Sequence, residues 1–245
     1  MIGIVGMGVF FVVGLFVSLR LLGLWRKTRQ LPELTAGMGL LGIGPLGFCV
    51  LLGGPTLAPG TRFAYLSFVT GLAVQALGFL SASVFTWRVF RPGARWARAF
   101  PIVLGAGLAV ALVGYMVVPI GSGQPLWHFH LDIWLKATCL AWGAAESLGY
   151  WRVTRQRVAI GFADAVVSAS FLCWGIALSA AALGFLGIYF AVLALRPGEH
   201  LGAGVEVALS SCGMITASAL FLAFLPPKAY ARWLATRSPA AEAHS

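Results

Sequence analysis

The sequence predicts an all-α polytopic membrane protein with seven transmembrane helices, its N-terminus outside and its C-terminus cytoplasmic. Three observations carry that prediction. Sixty per cent of the 245 residues are hydrophobic and only 10% are charged, against about 25% charged in soluble domains. Mean hydropathy is +0.90, so the solvent that suits this surface is lipid. Apolar runs recur with short loops between them, and the basic residues fall in those loops on alternate sides.

The spans are expected at about 2–24, 34–53, 63–88, 99–119, 129–151, 158–190 and 202–225. The first run, MIGIVGMGVFFVVGLFVSLRLLGLW, has no basic segment before it, so it reads as a span and not as a cleavable signal peptide. It ends in Arg26, Lys27 and Arg29, which holds that end in the cytoplasm. The second holds Gly37, Gly39, Gly42, Gly44, Pro45 and Gly47, a pattern for a kinked helix in tight contact with neighbours. The third places Gln75 near mid-membrane. The sixth comes from the apolar run 158–195, taken as one long helix with a break near Ser179 or Gly184. Splitting that run would put Lys228, Arg232 and Arg237 outside.

On this assignment one side holds Arg20, Arg26, Lys27, Arg29, Arg88, Arg91, Arg95, Arg98, Arg152, Arg155, Arg157, Lys228, Arg232 and Arg237. The other holds only Arg62 and Arg196. That is the positive-inside pattern, and it explains the net charge of +10 without nucleic acid. Trp25, Trp87, Trp96, Trp127, Trp151 and Trp233 sit near span ends, as an aromatic belt does. Arg outnumbers Lys 14 to 3, which points to a GC-rich bacterial genome and hence to the inner (cytoplasmic) membrane. Cys49, Cys139, Cys173 and Cys212 lie in apolar segments without metal spacing and read as small buried hydrophobes.

The transmembrane domain is expected over 1–226, with 227–245 a short, disordered cytoplasmic tail too small for an output domain. LWRKTRQ at 24–30 matches YWRVTRQ at 150–156 in five of seven positions, each beginning a cytoplasmic turn after a span. The offset suggests two parallel three-helix repeats, about 1–90 and 127–226, with the helix at about 99–119 as linker. A single linking helix is what a parallel repeat needs.

This 3+1+3 arrangement resembles the broad group of seven-helix sugar transporters, opsins and receptors. The motifs of that group are missing: no lysine for retinal in 202–225, no Pro-Gln pair, no Asp-Arg-Tyr or Asn-Pro-x-x-Tyr. The run LPEL-x-x-GMGLL-x-x-GPLGF at 31–48 looks like a signature of uncharacterised bacterial seven-helix proteins, and it brings no activity with it.

The fifth span, WHFHLDIWLKATCLAWGAAESLGY, carries most of the candidate chemistry. With 100° per residue and Asp132 at zero, Lys136 lies at about 40°, Cys139 at about −20° and Gly143 at about 20°. His128 and Glu146 fall near −40°, Tyr150 near zero and His130 about 160° away. His128, Asp132, Lys136, Glu146 and Tyr150 therefore form one polar stripe, which must face the bundle interior because a central charge facing lipid costs about 2.5–3.5 kcal/mol. Asp132 and Lys136 are spaced to pair at i,i+4, either as a ligand or proton site or as a structural ion pair. By depth, Asp132, Lys136 and Glu206 are expected around an outer polar cavity. Glu146 and Asp164 are expected in an inner cluster that neutralises Arg20, Arg152 or Arg157.

The ligand or proton-relay candidates are thus Asp132, Lys136, Glu206, His128 and Gln75, with Glu146, Asp164 and Tyr150 on the inner side. A metal would need His128, His200 and Glu206, with His130 and Glu199 nearby. The helical geometry separates His130 from the rest, and the HxxxH of seven-helix zinc hydrolases is absent, so no metal and no cofactor is expected. The first functional expectation is a sensor or receptor-like module. It would bind a small molecule from the outer side and signal to a cytoplasmic or membrane protein partner. The second is a small-solute transporter; an enzyme with a metal at the outer face comes third, and enzymatic activity is not expected.

Overall fold

A computed structural model describes residues 2–118, 126–194 and 202–236. Among these residues the chain is helical throughout: α1 (Ile2–Thr28), α2 (Leu31–Ile43), α3 (Pro45–Leu57), α4 (Arg62–Phe90), α5 (Arg95–Val117), α6 (Trp127–Ala159), α7 (Ala165–Ala194), α8 (Ala203–Phe224) and α9 (Lys228–Thr236). Six helical stretches are long and apolar enough to cross a membrane: α1, α2 with α3, α4, α5, α7 and α8. The chain is compatible with a multi-pass membrane protein on that ground. The remaining long helix, α6, has 33 residues and spans about 50 Å, but its ionisable stripe makes it less apolar than the others.

The ends of the helices follow local chemistry. Arg29 takes a left-handed φ of 57° after α1, and Pro32 then sits in the first turn of α2, where its missing N–H costs nothing. The expected kink in the second span is an interruption of the helix at one residue, Gly44. Pro45 cannot donate to the preceding turn, so α2 stops at Ile43 and α3 restarts beyond Gly44.

Two further boundaries differ from expectation. Residues 158 and 159 belong to the end of α6, and α7 begins only at Ala165. Gly161 turns the chain at φ 76°, and Asp164 caps α7 by accepting the Val166 N–H at 2.7 Å. Both are ordinary stop and start signals, and they end the apolar run that hydropathy alone reads as continuous. From there α7 runs unbroken through Ser179 and Gly184. The stretch after Pro227 is not a plain tail: 228–236 form α9, which packs on α7. Tyr230 stacks on Trp233 and lies near the Cys173 thiol. Burial and that thiol hold the Tyr230 phenol above its ordinary pKa. Residues 237–245 lie outside the described residues.

Six of the seven long segments close into a ring, in the order α1, α2–α3, α4, α6, α7, α8 and back to α1. α5 lies outside it, against α4 and α6. Side-chain levels fix the directions. On α2–α3 and α4, Gly39 meets Ala82, Gly42 meets Gly78, Gly47 meets Gln75 and Gly54 meets Ser67, an antiparallel register. On α6 and α7, His130 meets Tyr189 and Ser147 meets Phe171, again antiparallel. Two seams are parallel: α4 with α6, where Gln75 meets Lys136 and Arg91 meets Glu146, and α1 with α8, where Gly6 meets Ser210 and Arg20 meets the Phe224 carbonyl.

The basic residues of 20–29, 88–98, 152–157 and 228–232 therefore gather at one end of the bundle. Arg62 is at the other; Arg196 and Arg237 lie outside the described residues. Inside the ring the core is apolar. Phe10, Leu40, Phe85, Leu140, Trp174 and Leu220, one from each ring segment, surround an apolar space of about 40 Å³.

The YWRVTRQ copy of the suggested repeat does not begin a turn. It is helical within α6, which continues to Ala159: Arg29 of the first copy takes a left-handed φ and Pro32 follows soon after, whereas the matching Arg155 stays helical and the left-handed turn comes only at Gly161.

Candidate functional site

The polar stripe of α6 is buried as far as Glu146, and only Tyr150 at its end is exposed. His128, Asp132, Lys136, Cys139, Gly143 and Glu146 are all buried, which is the face a helix of this composition must hide from lipid. Ile133 and Ala137, about 100° and 140° around the helix from Asp132, are buried too, because α6 is flanked by α4, α5 and α7.

At the centre is an ion pair. Lys136 Nζ donates to Asp132 Oδ2 at 2.7 Å and to Gln75 Oε1 at 3.0 Å. Lys136 is 1% exposed, Gln75 2% and Asp132 6%. The ammonium also lies 5.8 Å from the centre of the Phe79 ring, a distance at which the ring face attracts a cation. Two hydrogen bonds and a ring face are the compensation a buried charge pair needs. Gln75 Nε2, by contrast, is buried without a hydrogen-bond partner, and so is His128 Nδ1. His128 packs edge-on against Tyr115 at 4.4 Å between ring centres. Tyr115 went unnoticed in the sequence because it lies on α5, in a span read as linker.

The depth of this site differs from expectation. Gln75 is near the middle of α4, so the Lys136 head reaches the middle level of the ring instead of the outer half. The α2–α3 break is at the same level: Gln75 packs on Gly47, and a Cβ there would lie 2.6 Å from Gln75 Cγ. Among the described residues, Gln75, Asp132 and Lys136 form a buried polar cluster above an apolar core.

The other candidates separate. Glu146 does not pair with Arg20, Arg152 or Arg157. Its carboxylate receives Arg91 Nε at 2.9–3.0 Å and Trp142 Nε1 at 3.2 Å. The α4 C-terminus reaches α6 at this level, which the loop position of Arg91 did not reveal. Arg20 instead donates to the Phe224 carbonyl. Asp164 is exposed and serves as the α7 cap described above, so it is no part of an inner cluster. Tyr150 is also exposed at its helix edge, with its ring against Phe90 and Phe171. Glu206 lies in the first turn of α8, which packs on α1 and α7, and it makes no ion pair among the described residues.

His130 turns away from His128, with Nδ1 3.0 Å from the Tyr189 hydroxyl. His200 and Glu199 lie outside the described residues. Among the described residues no three His, Cys, Asp or Glu side chains are grouped to hold a metal.

Arg91 is half exposed, at 54% of its side chain, so water screens the pair. Arg91→Ala should cost about 1 kcal/mol or less, read by thermal unfolding in detergent. A loss several-fold larger would mean that this end is less solvated than its exposure shows.

No family model matches the chain, and the searches of curated proteins and of solved structures returned no match.

Proposed function

We propose that this chain is a small-solute transporter of seven membrane spans. The observation that carries the reading is the meeting, at one level, of a broken helix and a buried ion pair: the α2–α3 break at Gly44–Pro45 lies beside Gln75, and Gln75 accepts from Lys136. Interrupted helices beside a midplane polar site are the recurring device of secondary transporters.

The ring order supports the two-repeat reading. The two halves are α1 to α4 and α6 to α8, and α5 links them from outside. They meet at two parallel seams, each pairing the first segment of one half with the third of the other, as a two-fold axis along the membrane normal requires. The break has no counterpart in α7, so the halves differ where the polar site is built. The basic end of the bundle supports a cytoplasmic C-terminus and an outer N-terminus. In a bacterial cell the corresponding membrane is the inner one. The sensor reading rests on N-out topology and an outward-lying polar stripe, and the burial of Asp132 and Lys136 gives it less support.

The test is uptake into liposomes of the purified chain, with labelled amino acids, sugars, carboxylates and amines. One class should accumulate, and Lys136→Met and Gln75→Leu should each lower the rate about tenfold or more, the worth of a hydrogen bond to a charged group. Folded protein that takes up none of them, or uptake unchanged in both variants, would end the proposal.

A further inference from the structure

We infer that the site beside the α2–α3 break takes a small carboxylate together with a proton. The inference rests on the transporter reading above and names its substrate class. Three groups point to an anion. α3 is 13 residues long, begins in the interior of the bundle, and has no side-chain cap on its first turn. The first-turn N–H groups of a helix have no partner within it, and they carry the positive end of its dipole. Gly47 in that turn is buried.

The second group is independent of the first. Gln75, 2% exposed, packs directly on Gly47, and its Nε2 is a buried donor without a partner. Its oxygen is already committed to Lys136, so the amide has only N–H left to offer. The third is Lys136, whose ammonium has three donors and spends two of them on Asp132 and Gln75. Donors on three elements thus lie side by side, since Gln75 packs on Gly47 and accepts from Lys136. A planar group with two acceptor oxygens satisfies them; a cation or an amine does not.

Charge balance supplies the proton. Lys136 and Asp132 cancel, so an anion entering alone would leave a net negative charge in a medium of low dielectric. A proton from the medium, taken up on an Asp132 oxygen, restores neutrality and breaks the Lys136–Asp132 contact. The freed Lys136 N–H then turns to the incoming carboxylate. Other titratable groups within reach of Asp132 are His128 on α6 and Tyr115 on α5. α4 presents Gln75 and Phe79, which do not titrate, and on α7 Tyr189 is held by His130.

Lactate is a suitable probe, with chloride, methylammonium and glycerol as controls, on the full chain in nanodiscs and in liposomes. Lactate should raise the thermal midpoint where the controls do not, and should bind more tightly at pH 5.5 than at pH 8, by up to about tenfold for each pH unit. Gln75→Leu should weaken lactate about tenfold. Asp132→Asn, already neutral, should bind it without pH dependence. Lactate no better than chloride or glycerol at either pH overturns the inference, and so does Gln75→Leu binding like the unaltered chain. Lys136-dependent uptake of a neutral or cationic solute would overturn it while leaving the transporter reading intact. Lactate binding without uptake would support the carboxylate site and remove the transporter reading.

Discussion

Lys136→Met should destabilise the folded protein by about 3–5 kcal/mol, the cost of leaving one member of a buried ion pair alone. The substitution keeps the volume and the apolar stem. It deletes the donor that serves Asp132 at 2.7 Å and Gln75 at 3.0 Å. Asp132, 6% exposed, is then a carboxylate without its counter-ion, and Gln75 loses the bond to its oxygen while its nitrogen is already unpartnered. The double variant Asp132→Asn with Lys136→Met removes the charge altogether and should recover most of the loss. Thermal and denaturant unfolding in one detergent measure both. If the single variant is as stable as the parent, the pair is not desolvated, and the site is an open aqueous one. If the double is as unstable as the single, the loss comes from packing around the lysine stem and not from the orphaned charge.

Much of this site was legible in α6 alone. A 100° step places His128, Asp132, Lys136 and Glu146 on one face, and a membrane helix must bury such a face. The partners were not legible, since they come from helices whose neighbours are set by three-dimensional packing. Lys136 meets Gln75 because α4 and α6 run parallel at that level. Arg91 meets Glu146 because α4 continues to Phe90 and its cap residue swings onto α6. Depth differs for a related reason. The ends of α6 set the level of the Lys136 backbone, whereas the level of a long side chain's head is set by what it reaches. Tyr115 was passed over because nothing in the sequence of a linker span says which face meets α6.

The segment boundaries show the same limit from the other side. Hydropathy sees one apolar run at 158–195, and only the turn chemistry of Gly161 and Asp164 divides it. Both signals were present in the sequence, but a window average passes over single residues. The repeat motif was misleading as a turn marker. WR-x-TR suits the basic end of any span, and whether a helix stops there depends on the residues that follow it.

Gly78→Ala should destabilise the bundle by about 1–3 kcal/mol, the usual cost of overpacking, although alanine is the better helix former by about 1 kcal/mol. The α2–α4 crossing explains the sign. A Cβ on Gly78 would lie 2.6 Å from the Ile43 nitrogen and 2.7 Å from the Gly42 carbonyl carbon. Both are backbone atoms, so relief requires the helices to part. The reciprocal change meets the same wall, with a Cβ on Gly42 at 2.8 Å from the Gly78 Cα. Small residues at such crossings let membrane helices gain their packing energy, and this one lies a turn away from Gln75 and next to the α2–α3 break. Spreading it moves the amide away from Lys136, so the loss should appear in solute uptake as well as in the unfolding midpoint. Gly184→Ala is the control, since its Cβ would meet Cys212 at an ordinary 3.7 Å, and it should stay within about 0.5 kcal/mol of the parent. Equal midpoints for Gly78→Ala and Gly184→Ala would show that the two helices do not touch backbone to backbone, and the position assigned to Gln75 beside the break would fall with that contact.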